Sequence, residues 1–269
     1  VKTSNPVLAR LGQAAERERA AGYAPAGAYG QPYPTAAGYP AAPPTVQPMS
    51  IDDVVVKTVM LLGITGLTAA AAWVLVPDAL VGAAWIGAAV VGLVLGLVIS
   101  FMRVANPALV VAYAVVEGVF VGMVSKFFQE IAGYQGIVLQ AVIASFGIFF
   151  LMTALYKFRV IRATPKFVRG LLAAMVGVFA VMLINFVLTL TTDIDTGIRS
   201  GGPVAIGFSL ICIVIASLSF VLSFHEVEEG VRMGLPQRYA WSAAFGILVS
   251  LVWLYIEVLR LLSYLQGDD

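Results

Sequence analysis

Between Ile51 and Leu262 the chain alternates long, almost wholly apolar stretches with short polar breaks. Each stretch is close to the ~20 residues that a helix needs to cross ~30 Å of hydrocarbon. Seven spans are predicted, at residues 54–76, 79–102, 108–129, 135–156, 168–190, 204–224 and 240–262. The breaks carry residues that end or turn helices: Pro77 with Asp78, Asn106 with Pro107, Gly133, Thr164 with Pro165, the glycines and proline of 201–203, and Pro236. The pattern predicts an all-α fold, an integral membrane bundle of seven helices over residues 50–269.

Residues 1–49 follow no such pattern, with eight prolines, recurring Gly and Ala, and Tyr23, Tyr29, Tyr33 and Tyr39. A segment of this kind buries too little surface to offset its ordering entropy. It reads as a disordered cytosolic tail, with a short charged helix expected over residues 7–20. A signal peptide is not indicated, because neither a continuous apolar h-region nor a small-residue cleavage site is present.

Composition agrees with the spans: of 269 residues 60% are hydrophobic and 12% charged, and the mean hydropathy is +0.94. The net charge of +1 gives no reason to expect nucleic acid. A single cysteine, Cys212, allows no intrachain disulfide, and a single histidine, His225, removes most zinc and histidine-based schemes. No cofactor is expected. The placement of charge says more than its sum. With the N-terminus inside, thirteen Lys and Arg fall on inner segments and three (Lys126, Arg199 and Arg260) on outer ones, and basic residues accumulate on the cytoplasmic side. A multi-pass protein of the plasma (bacterial inner) membrane with a cytoplasmic N-terminus is expected. The loop KFRVIRATPKFVR, residues 157–169, holds five of the inner cations and can touch anionic lipid headgroups.

One span breaks the apolar rule near its middle. Glu117 lies inside ALVVAYAVVEGVFVGMVSKFFQ, where an acid at a helix centre costs roughly 2.5–3.5 kcal/mol or more and so faces a bundle interior, a water path or a partner. Gly118 with Gly122, and Gly92 with Gly96, are small residues four apart that let helix backbones approach closely. No internal repeat of the inverted-transporter kind is evident.

At AYAVVEGVFVGMVS, residues 112–125, the chain resembles the third span of the Bax inhibitor-1 family, the transmembrane Bax inhibitor motif superfamily. The resemblance extends to the tail opening SNPVLARL (4–11), the loop GIRSGGPVAIGFSL (197–210) and the C-terminal AFGILVSLVWLYIEVLRLL (244–262), a combination similar to the bacterial branch. It implies a central helix ringed by the others and a pH-sensitive calcium leak. The family ascribes proton sensing to two aspartates, near the end of the sixth span and in the seventh. Here the first position falls on Ser223 or His225, depending on register, and the second on Ser250. The paired-aspartate mechanism therefore does not transfer intact.

The remaining candidates for an ion pathway or a pH sensor are Glu117, His225, Glu228 and Glu257. Carboxylate oxygens suit a divalent cation that must bind loosely enough to leave, and His225 titrates near neutrality without any shift. Each has a structural alternative. Glu117 can pair with Tyr113, one turn away, or with Arg103. Glu257 and Arg260 are three apart on one face and can neutralise each other. His225 can face headgroups, and Glu226, Glu228 and Glu229 with Arg232 read as a solvated inner loop.

Enzymes are not expected. HEVEE, residues 225–229, begins like a zinc-protease helix but has Glu229 where the second histidine belongs. Ser209 and His225 lie sixteen apart on one span, roughly 24 Å along a helix. The reading is a pH-dependent leak for calcium or another cation, in contact with membrane lipids. The alternative is a non-conducting regulator that binds another membrane protein, such as a quality-control protease, through its tail.

Overall fold

The computed structural model describes residues 47–102, 105–191, 197–198 and 201–267. The expected helix over residues 7–20, and nearly all of the tail, lie outside the described residues. Seven long helices follow one another: α1 (Ile51–Leu75), α2 (Val81–Phe101), α3 (Pro107–Lys126), α4 (Ile137–Lys157), α5 (Pro165–Thr191), α6 (Gly202–Arg232) and α7 (Tyr239–Gln266). All seven are long and apolar enough to cross a membrane. The chain is a multi-pass membrane protein of seven spans.

Local chemistry sets the helix ends. Ser50 and Asp53 form a capping box at α1, the Ser50 hydroxyl accepting from the Asp53 amide at 3.1 Å while the Ser50 amide donates to the Asp53 carboxylate at 3.0 Å. Gln237 also donates to Asp53, at 2.6 Å, tying the start of α1 to the start of α7. Asn106 caps α3 by accepting from Ala108, and Pro107 occupies the first turn, where its missing N–H costs nothing. A single π turn, Phe127–Ile131, prolongs α3.

The sixth span runs further than its apolar pattern suggests. Residues 226–232, expected as a solvated loop, are the last two turns of α6, and the Glu229–Arg232 ion pair at 2.6 Å spans three residues of that helix. A helix already formed in the membrane continues into water at little cost when its exposed residues pair along one face. Gln47–Met49, read above as the end of the tail, are held against the α6–α7 connection, with the Met49 amide donating to the Leu235 carbonyl at 2.7 Å and the Gln237 amide to that of Gln47 at 2.9 Å.

The bundle is organised around α7, which packs against α1, α3, α4 and α6. Its buried positions run from Tyr239 to Ser263 and include Leu248, Leu254 and Leu259 with no exposed surface. The central helix implied by the resemblance is therefore α7. In turn, α2 leans on α3 and α5 on α6. The outward faces of α1 and α2 expose Leu67, Val74, Ile86 and Leu93, a surface suited to lipid rather than water.

The tightest helix pair is α1 with α3. A Cβ on Gly118 would stand 2.6 Å from the Thr65 carbonyl oxygen, and one on Gly122 would stand 2.5 Å from that of Ala69. The Thr65 hydroxyl donates across the same contact to the Ala114 carbonyl at 3.1 Å. Gly92 and Gly96 serve a different purpose. The nearest atom to a Cβ on Gly92 is the Glu117 carboxylate, at 3.2 Å, and to one on Gly96 the Tyr113 ring, at 3.5 Å. These two glycines make room for side chains of α3, not for its backbone.

Candidate functional site

With its backbone drawn against α1, helix α3 points Glu117 the other way, over the glycines of α2. The carboxylate sits beside the Tyr113 side chain, one turn earlier, and the Tyr113 ring is fixed edge-on against Phe245 of α7 at 5.0 Å. Arg103, the other partner considered for Glu117, lies outside the described residues.

Glu117 and Tyr113 line a cavity of about 490 Å³ whose walls come from α2, α3, α5, α6 and α7. From α6 it receives Ser219, Ser223 and Glu226, and from α7 Ser250. With Ser100 of α2, two carboxyl groups and four serine residues thus line one largely apolar chamber within the spans. Ser223, and not His225, shares this chamber with Ser250, so the two serines stand where the resemblance would place facing acidic groups.

Glu226, which stands beside His225 among the charged residues at the inner end of the sixth span, reads from the sequence as part of a solvated inner loop, and the structure places it in the chamber instead. Its signal was present all the same: 219, 223 and 226 fall at spacings of four and three on one helix face. Ending the span at residue 224 removed Glu226 from that face.

Three other candidates lie elsewhere. His225 and Glu228 line a second, larger cleft between α1, α4 and α6, and Glu228 accepts from the Tyr156 hydroxyl at 2.5 Å. Glu257 lines neither space. Its side chain is 2% exposed, and Oε1 accepts from Arg260 at 2.8 Å. Its other oxygen has no partner among the described residues.

Near the opposite ends of α3 and α1, Lys126 is buried and held by three groups. Its ammonium donates to the Val76 carbonyl at 2.8 Å and pairs with Asp78 at 2.7 Å and Glu130 at 3.9 Å. It closes the α1 C-terminus and adds no free charge there. Among the described residues no three His, Cys, Asp or Glu side chains converge. The chamber therefore offers a divalent cation two carboxylates and hydroxyl oxygens, hard ligands too few to trap it.

The family model described as Bax inhibitor 1 like matches residues 5–267. No curated protein matches the chain.

Proposed function

The chain belongs to the Bax inhibitor 1 like family, and from that premise we propose that it is a pH-dependent cation leak, with calcium as the cation. The observation that carries this reading is the convergence of Glu117 and Glu226, from different helices, on one chamber within the spans. Ionised, the pair attracts a cation and supplies oxygen ligands along with Ser219, Ser223 and Ser250. Protonated, it neither attracts nor ligates, so proton concentration sets occupancy. Glu117 also sits beside Tyr113, whose ring packs on Phe245 of α7, so its charge state bears on the packing of the central helix.

The reading is tested by calcium flux into liposomes holding the purified protein, scanned from pH 8 to 5, for the unmodified chain and for Glu117→Gln, Glu226→Gln and Glu228→Gln. Loss of the pH-dependent flux in the first two, with retention in Glu228→Gln, is expected. An unchanged pH profile in Glu117→Gln and Glu226→Gln would remove the chamber from the pathway. No flux from the unmodified chain at any pH would favour a non-conducting regulator.

A further inference from the structure

We propose that the cleft between α1, α4 and α6 is a binding site for an anionic phospholipid, its phosphate held by Lys157, Arg159 and Arg162 and its acyl chain lying along the phenylalanines of α4. The cleft is about 1010 Å³, at the upper end of the roughly 300–1,000 Å³ typical of small-molecule sites. Its walls are apolar, with Phe146, Phe149 and Phe150 from α4 and Phe224 from α6. Val55, Val59 and Phe150 on those walls are 52%, 62% and 63% exposed, so the cleft is open along its length on a surface built for hydrocarbon.

Charge is confined to one end. Lys157, Arg159 and Arg162 line the cleft and are exposed, and among the described residues none of them forms an ion pair. The acidic group on that wall, Glu228, is engaged by the Tyr156 hydroxyl. A cationic mouth opening onto an apolar trough at the end of a membrane span complements a phosphate bearing an acyl chain.

A further feature points to the mouth, the backbone at Arg159, with φ +58°. It is the left-handed residue closing α4, where the Arg159 amide donates to the Tyr156 carbonyl at 3.0 Å and the Val160 amide to that of Leu155 at 2.9 Å. Glycine is the usual occupant of that position, since any Cβ is strained there. An arginine kept in it directs a guanidinium to the mouth of the cleft.

The experiment uses the full chain in neutral micelles and measures association of spin-labelled phosphatidylglycerol and phosphatidylcholine with identical acyl chains. The unmodified protein is expected to prefer phosphatidylglycerol, and Arg159→Gly and Arg162→Gln are each expected to weaken that preference roughly fivefold. Arg159→Gly relieves the left-handed strain, so its thermal midpoint should hold or rise, which separates lost binding from lost folding. Arg232→Gln, whose cation is already paired with Glu229, should change nothing. Equal loss in Arg232→Gln, or a full preference surviving the Arg159→Gly and Arg162→Gln pair, would overturn the site. A photoreactive side chain at position 150 should form lipid adducts, and crosslinks to residues 1–46 or to a second copy would overturn it as well.

Discussion

Replacing Arg260 with Ala leaves a buried carboxylate on the central helix without its counter-ion. Glu257 has a side chain 2% exposed on the central helix, one oxygen held by Arg260 at 2.8 Å and the other without a partner among the described residues. Its charge is stabilised almost wholly by that guanidinium, itself 18% exposed. Removing one member of a buried pair leaves an uncompensated charge and costs about 3–5 kcal/mol. At 2–4 °C per kcal/mol for a chain of this size, the thermal midpoint should fall by roughly 6–20 °C. Replacing both members, Glu257→Met with Arg260→Met, removes the charge together with its counter-ion and should lie within about 1 kcal/mol of the parent or above it. Thermal unfolding in detergent, followed by tryptophan fluorescence, reads both. Were Arg260→Ala to unfold within about 1 kcal/mol of the parent, the pair would not be what keeps Glu257 buried. The double variant also has a second use, because pH-dependent flux that survives it would make Glu257 structural and not part of a conduction path.

Two further perturbations test the packing that orients the chamber. Gly122→Ala puts a methyl 2.5 Å from the Ala69 carbonyl oxygen, forcing α1 and α3 apart by about 1 Å at a cost of about 1–3 kcal/mol. Gly147→Ala in α4, where nothing lies within 4 Å of the added Cβ, should instead stabilise by up to about 1 kcal/mol through helix propensity, and the two melts would show opposite shifts. Across α3 and α7, Ser125 and Tyr255 share a hydrogen bond of 2.6 Å. Ser125→Ala and Tyr255→Phe should each cost about 1 kcal/mol, with the double variant costing clearly less than the sum; strict additivity would mean the bond contributes nothing.

The spans were legible because hydrocarbon admits almost no other solution: a long apolar run without internal breaks must hydrogen-bond its own backbone, and only a helix does so within one segment. The closeness of α3 to a neighbour was legible at Gly118 and Gly122 for the same reason. Its partner was not, since nothing local to α3 indicates that Thr65 and Ala69 of α1 are the residues it meets. The Gly92–Gly96 pair shows the limit more sharply. Its spacing matches that of a backbone contact, yet the space goes to the side chains of Glu117 and Tyr113, an outcome that depends on how α3 is rotated. Glu226 was missed at the end of a span, where hydropathy falls before helicity does. Polar residues in the last two turns of α6 look like a loop to any reading that counts apolar positions.

That extension of α6 decides how the protein is organised as a device. Glu226 and Glu228 are two residues apart, and at about 100° per residue they project to opposite sides of the same helix. Glu226 accordingly joins Ser219 and Ser223 on the chamber shared with Glu117, while Glu228 joins His225 and Phe224 on the phenylalanine-lined cleft. Helices α6 and α7 each contribute residues to both spaces, and α6 is held on one flank by central α7 and on another by α5. A rigid rotation of α6 could not open one space without altering the other, because its side chains are fixed to one cylinder. The chamber face and the cleft face are thus mechanically joined through α6, and Glu228, held by Tyr156 of α4, is the polar tether that resists such a rotation.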